Sequence, residues 1–156
     1  MNKRGFTLVE VIVVISLLGL VLIITSTNIL GGSTKAKEKM LQTKIENIER
    51  AAVLYGQDNR DNFTRDDTLT GVSECLNEYC NGKSNCYCYY NGSNTKITVE
   101  FLANPGVDED NNPIEPYINY DEDGIIKNPV DGTEMNDKKI QIYQKYGKIY
   151  AVYIGE

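Results

Sequence analysis

The sequence predicts an α+β fold in which a long N-terminal helix packs on a small antiparallel β-sheet. Three observations lead to this prediction. An almost uninterrupted apolar run covers residues 6–24, an amphipathic helical pattern follows it, and short segments later in the chain alternate with the period of β-strands. With 156 residues and a net charge of −6, the chain has room for one modest globular head beside the helix.

The apolar run is long enough to cross a bilayer. A helix rises about 1.5 Å per residue, so residues 6–24 span about 28 Å, close to the roughly 30 Å thickness of the hydrocarbon layer. The run is longer than the apolar part of a secretory signal, and no small-residue cleavage site follows it. We therefore predict a single transmembrane helix over residues 6–30. The downstream cysteines favour an exported C-terminal part, because disulfide bonds persist in oxidising compartments.

Glu10 is an acid inside this apolar run, where a buried charge requires a partner. The stretch Arg4-Gly5-Phe6-Thr7-Leu8-Val9-Glu10, with its short basic leader and apolar continuation, resembles the class III signal of type IV prepilins and pseudopilins. The resemblance implies that prepilin peptidase removes the leader, residues 1–5, by cleavage between Gly5 and Phe6. It also implies N-methylation of the new Phe6 amine and an assembly role for Glu10.

The charges in this motif complement each other. Cleavage would leave a cation at Phe6, four residues before Glu10, and positions four apart are neighbours on one helix. Two unit charges about 4 Å apart attract by roughly 4 kcal/mol at an effective dielectric constant of 20, which rivals the cost of burying the acid. The amine of a neighbouring subunit would serve equally well, so the sequence leaves self-pairing and cross-pairing open.

Residues 31–57 are predicted as the amphipathic half of the helix. Apolar residues recur there at steps of three and four, and this stripe should pack on the sheet: Leu41, Ile45, Ile48, Ala52 and Tyr55. Gly56 and the polar residues after it are predicted to end the helix. Because no proline precedes Pro105, the helix is expected to be either continuous or softened at Gly31-Gly32.

Residues 58–156 are predicted as the exported head. Alternating apolar residues predict a strand over residues 95–101, and residues 139–144 and 148–153 predict a hairpin around Lys145-Tyr146-Gly147. The segment 104–136 holds all four prolines and many Asp, Asn and Gly residues, so it is predicted as a long loop.

The four cysteines are predicted to form two disulfide bonds. Cys75, Cys80, Cys86 and Cys88 lack the paired C-x2-C spacing that is usual in a four-cysteine zinc site. Cys86 and Cys88 are too close in sequence to bond to each other readily. Two pairings remain open: Cys75–Cys86 with Cys80–Cys88, or Cys75–Cys88 with Cys80–Cys86.

Two acidic stretches are candidates for calcium binding, one with Asp108 and Asp110 and the other with Asp121 and Asp123. The first begins like an EF-hand loop, but a proline occupies the glycine position and Asn119 stands where the closing glutamate belongs. The alternative is that both stretches are solvated acidic loops. No other cofactor is predicted.

Four lysines cluster around the final hairpin of an otherwise acidic head: Lys138, Lys139, Lys145 and Lys148. Lysines of this kind protect the edge strands of a sheet against unwanted pairing. The alternative is a contact surface for DNA or for an acidic neighbouring subunit.

The composition argues against an enzyme. The chain has no histidine, which excludes Ser-His-Asp and Cys-His catalysis, and it has no glycine-rich phosphate loop. The resemblance instead implies a structural pilin or pseudopilin of a type IV pilus-like, type II secretion or competence filament. The implied partners are other copies or related pilin subunits, prepilin peptidase, the assembly platform and ATPase, and membrane lipid before assembly.

The resemblance also implies a location. The chain would be a single-pass protein of the inner membrane with an exported head, and after assembly it would lie in an extracellular or periplasmic filament. The alternative function is a membrane-anchored extracellular binding domain that does not polymerise.

Overall fold

A computed structural model describes residues 8–108, 110–121 and 124–155, with the side chains of residues 19–32 excepted. It confirms the α+β class, with an N-terminal helix and an antiparallel sheet. The elements are α1 (Leu8–Asp58), β1 (Phe63–Thr64), α2 (Val72–Cys75), β2 (Cys86–Tyr89), β3 (Lys96–Thr98), α3 (Val99–Ala103), β4 (Lys139–Lys145) and β5 (Lys148–Tyr153). The chain divides into two compact units, and the boundary between them falls within α1, between Lys39 and Met40.

Helix α1 continues through Gly31 and Gly32, which agrees with the continuous alternative. It ends at Asp58, within the polar stretch after Gly56 that was predicted to end it and one residue beyond the predicted bound at 57. A Cβ atom at Gly56 would lie 3.0 Å from methyl groups of both Ile142 and Ile149. Gly56 therefore also allows the last turn of the helix to approach the sheet closely.

The sheet has the strand order β1-β2-β4-β3, and β5 pairs with the other side of β4. All of its pairs are antiparallel. Lys145 pairs with Lys148, so the predicted hairpin β4–β5 is confirmed with a two-residue turn. Tyr146 and Gly147 form this turn with φ angles of 51° and 77°, the left-handed geometry that matches the twist of a tight hairpin.

The predicted strand over residues 95–101 is wrong in its second half. Strand β3 ends at Thr98, whose side-chain oxygen accepts a hydrogen bond from the backbone N–H of Phe101 at 3.2 Å. This is an N-cap, and the short helix α3 begins at Val99. A threonine cap therefore overrides an apolar alternation that suits a strand equally well.

The apolar stripe of α1 packs in the core of the head, as predicted. Ile48, Ala52 and Tyr55 are buried, and they join a cluster with apolar residues of the sheet and of α3. The Tyr55 ring makes edge contacts with three aromatic rings at centroid distances of 5.2–5.6 Å: Tyr89, Phe101 and Tyr117. Burial raises the pKa of Tyr89, whose hydroxyl lies 2.6 Å from that of Tyr55.

The described part of segment 104–136 contains no helix or strand, only isolated bridges between Val107 and Pro113 and between Lys127 and Glu134. Its order comes from hydrogen bonds to the rest of the head. The carbonyl of Leu102 accepts bonds from the backbone N–H groups of residues 117 and 118. The long loop is thus held on the core without secondary structure of its own.

Candidate functional site

The described N-terminal part of α1 is apolar on every side. All the described side chains from Leu8 to Leu18 are exposed, and the large apolar ones among them have exposed fractions between 49% and 77%. A helix with one apolar stripe packs against its own domain, whereas a helix that is apolar all round must be buried in lipid or among other helices. The surface of this segment therefore requires a partner from outside the chain.

Glu10 is the acid of this segment, and it lies in the first turn of α1. A carboxylate in the first turn interacts favourably with the positive end of the helix dipole. Gly5 and Phe6 lie outside the described residues, so the pairing of Glu10 with the Phe6 amine stays a prediction. The hydroxyl of Ser16, the other polar group here, donates to the Ile12 carbonyl at 2.8 Å.

The predicted transmembrane segment, residues 6–30, lies partly outside the described residues and side chains. Within what the structure does describe, no helix offers a stretch long and apolar enough to cross a membrane.

The comparison with known families concerns this same end of the chain. Residues 1–26 match the family model for the prokaryotic N-terminal methylation motif. The chain carries this motif. It is the class III signal of type IV pilins and pseudopilins, so the resemblance predicted from residues 4–10 is confirmed. Neither a curated protein nor a solved structure matches the chain.

The structure contains both predicted disulfide bonds and selects between the two pairings. Cys75 is bonded to Cys88 and Cys80 to Cys86. All four cysteines are buried, and they form a second apolar cluster with Val72. The bonds join the α2 region to strand β2, and they stabilise this part of the head by restricting the unfolded chain.

Arg65 forms hydrogen bonds with the loop that the Cys80–Cys86 bond closes. One nitrogen of its guanidinium group donates to the carbonyls of Lys83, Ser84 and Cys86 at 2.6, 3.1 and 2.7 Å. This residue was not singled out from the sequence, because its acceptors are backbone groups of a distant segment.

The first calcium candidate organises its own loop. The carboxylate of Asp108 accepts hydrogen bonds from the backbone N–H of Asn112 at 2.8 Å and from that of Asp110 at 3.0 Å. These bonds lower the pKa of Asp108, and the bond from Asn112 has the largest effect. Asp110 itself is exposed.

The second candidate is bound to a lysine. Asp121 accepts from the ammonium of Lys44 at 2.7 Å and from the backbone N–H of Lys127 at 2.8 Å, and these bonds lower its pKa. Asp123 lies outside the described residues. In the described part of the chain, no group of three cysteine, aspartate or glutamate side chains is placed to hold a metal ion.

The hairpin lysines are placed differently from the prediction. Strand β4 lies inside the sheet, so Lys139 and Lys145 stand at the ends of a central strand. The prediction that these two lysines protect an edge strand is therefore wrong. Lys148 does lie on the edge strand β5, directly opposite Lys145. The Lys145 ammonium donates to the Tyr79 carbonyl at 3.3 Å, and that of Lys138 lies 4.0 Å from Asp137.

The structure also reveals an apolar groove that was not predicted. We call it the edge groove: an open cavity of about 570 Å³ between α1 and strand β5, lined by Glu46, Glu49, Arg50, Val53, Leu54, Ile149, Tyr150 and Ala151. One signal in the sequence pointed to it. In the sequence, Val53 and Leu54 are apolar although neither belongs to the predicted core stripe. In the structure, Leu54 is 53% exposed.

Proposed function

We propose that this chain is a structural subunit of a type IV pilin-like filament, processed between Gly5 and Phe6 and methylated at Phe6. The observation that supports the proposal is the match of residues 1–26 to the N-terminal methylation motif. The filament belongs to the class that includes type IV pili, type II secretion pseudopili and competence pili. The role is structural rather than catalytic.

The exposed apolar part of α1 supplies the driving force in this proposal. Before assembly, membrane lipid covers side chains such as Ile12 and Leu17, which are 50% and 60% exposed in the isolated chain. In the filament, the same side chains of other copies or of related pilin subunits replace the lipid. Packing among these helices keeps the apolar surface away from water, and the exported heads face outward.

Glu10 makes this packing selective. An acid within an apolar bundle needs a positive partner, and the methylated amine of Phe6 keeps its charge while gaining apolar surface. The pair forms within one chain or between neighbouring copies. The assembly platform and its ATPase then lift the processed subunit out of the membrane.

Removal of the Glu10 charge tests the proposal. In the native cell, Glu10→Ala and Glu10→Gln should both be cleaved after Gly5. Filament yield should fall at least about tenfold, the effect of losing roughly 1.4 kcal/mol per subunit contact. Ser16→Ala is the matched control, because the Ser16 hydroxyl bonds within its own helix and its loss should not affect assembly.

The N-terminal mass of the native protein provides the second measurement. The proposal requires loss of residues 1–5 and addition of one methyl group at Phe6. A working filament made of chains that retain the leader would contradict the proposed processing. An intact leader on a chain that never assembles would favour the membrane-anchored binding domain.

A further inference from the structure

The turn of the β4–β5 hairpin carries an aromatic residue in a backbone conformation that does not suit it. Tyr146 has a φ angle of 51°, in the left-handed region that favours glycine and asparagine. Its side chain is 60% exposed, so burial in the head does not compensate for this strain. Strained backbone positions cluster at functional sites, and contact with another molecule would explain why the Tyr146 ring is kept there.

Three lysines lie around this ring. Lys145 and Lys148 flank the turn and pair directly opposite each other, an arrangement of like charges that destabilises a hairpin. The ammonium of Lys83 lies 5.6 Å from the centre of the Tyr146 ring. In the part of the chain that the structure describes, neither Lys83 nor Lys148 forms an ion pair. The positive charges beside the turn are therefore available to an anion.

A second exposed ring lies close to these lysines. Tyr150 follows Lys148 by two residues, so both side chains lie on the same face of β5. Tyr79, Tyr143 and Tyr150 form a row of rings with centroids 5.3 Å apart, and Tyr150, which is 40% exposed, ends the row. Exposed rings and ammonium groups thus alternate at this end of the hairpin. We call the following residues the hairpin surface: Lys83, Lys145, Tyr146, Lys148 and Tyr150.

Hydrogen bonds to neighbouring segments hold the hairpin surface in place. The N–H of Tyr146 donates to the Asn85 carbonyl at 2.9 Å, which joins the turn to the disulfide-closed loop 81–85. The ammonium of Lys145 donates to the Tyr79 carbonyl at 3.3 Å. Groups that are already ordered lose less entropy when a ligand binds, so this arrangement favours binding.

Single-stranded nucleic acid has the chemistry that matches this surface. Its phosphates are anions that recur along the strand, and its unpaired bases are flat rings that stack on aromatic side chains. An acidic polypeptide or an anionic lipid offers the charge without the series of rings. Because the whole chain carries a net charge of −6, attraction between charges is not sufficient, and stacking has to contribute. Glu78, which bonds to the Tyr79 hydroxyl, lies at the other end of the tyrosine row.

We propose that the hairpin surface binds single-stranded nucleic acid. Bases stack on the rings of Tyr146 and Tyr150, and the phosphates beside them contact the ammonium groups of Lys83 and Lys148. This contact explains why the turn keeps a bulky residue where asparagine would be less strained. It involves the head alone, so it goes beyond the proposed filament role and depends on neither processing nor assembly.

Binding of a fluorescent oligothymidine to the full chain in detergent, measured by anisotropy over a range of salt concentrations, tests the proposal. Tyr146→Asn should weaken binding about fivefold or more, the effect of one lost stacked base. The midpoint of thermal unfolding should stay the same or rise, because asparagine suits the left-handed turn. Lys148→Gln should weaken binding and reduce the slope of log affinity against log salt concentration by about 0.7. Lys139→Gln, at the other end of β4 and on the face of Lys145, is the control and should change neither quantity.

Several results would overturn the proposal. The wild-type chain would show no saturable binding, or Tyr146→Asn would bind the oligothymidine as tightly as the wild type. Equal affinity for a DNA duplex would exclude base stacking, because the bases of a duplex are not free to stack on tyrosine. Tighter binding of polyglutamate or of anionic lipid vesicles would assign the surface to an acidic protein or to a membrane. The N-terminal mass of the native protein reports separately on the proposed function.

Discussion

The two ends of α1 are both rich in apolar residues, but their side chains have opposite environments. Ile12, near the N-terminus, is 50% exposed, whereas Ile48 is 2% exposed. The difference follows from the pattern rather than from the amount of apolar sequence. The apolar stripe along residues 41–55 packs against the sheet and α3 of the same chain. The apolar surface around residues 8–18 is exposed and needs to be covered by other molecules.

This contrast separates stability from assembly. Side chains of the head, including the stripe of α1, contribute to the free energy of unfolding of the head. In the proposed function, side chains of residues 8–18 contribute to insertion and assembly, so they should leave that free energy almost unchanged. Each of the following substitutions tests one side of this separation.

The largest effect is expected at the buried stripe. Ile48→Ala should lower the free energy of unfolding of the head by about 2–5 kcal/mol, because it removes buried methylene groups and leaves a cavity. Ile12→Ala, the matched exposed substitution, should change it by less than about 0.5 kcal/mol. Urea unfolding of the full chain in detergent, followed by tyrosine fluorescence, measures both. Equal losses for the two variants would remove the distinction between the ends of α1.

The disulfide bonds are expected to give the next largest effect. Replacing Cys75 and Cys88 together with alanine should cost about 3 kcal/mol of unfolding free energy, and replacing Cys80 and Cys86 should cost about 2 kcal/mol. The order follows from the loops that the bonds close, with sequence separations of 13 and 6. The same urea titration gives the ranking, and a smaller loss for the Cys75–Cys88 pair would contradict it.

The Lys44–Asp121 ion pair should have a small effect that depends on pH. The hydrogen bond from Lys44, and to a smaller extent that from the backbone N–H of Lys127, lower the pKa of Asp121 below its ordinary value of 3.8. This carboxylate therefore stabilises the head above that pH. The contribution is lost as the pH falls through and below this value. The carboxylate is 41% exposed, so Asp121→Asn should cost less than about 1 kcal/mol at pH 7.

Comparison at two pH values checks the Asp121 prediction. The difference in unfolding free energy between the wild-type chain and Asp121→Asn should shrink from pH 7 to pH 3. Asp67→Asn, at an exposed position before α2, is the control and should show a smaller difference at pH 7. A difference for Asp121→Asn that grows on acidification would contradict the assigned sign.

The sequence predicted those elements whose evidence is local. The hairpin β4–β5 has alternating strands on both sides of a glycine turn, and these features agree with one another. Residues 95–101 lacked such agreement, because the same apolar spacing suits a strand and a short capped helix. Gly56 lies two residues before the observed end of α1, and only its distance to Ile142 and Ile149 shows that it also allows close packing on the sheet.

Sequence by itself determined the N-terminal motif, the apolar run and the core stripe of α1, because covalent order and helical period are properties of neighbouring residues. Tertiary structure alone decided which cysteines are bonded, where Arg65 and Lys44 find their acceptors, and that an apolar groove borders β5. Those features join segments that are distant along the chain. Their distances are set by how the helix and the sheet pack, and a local pattern does not contain that information.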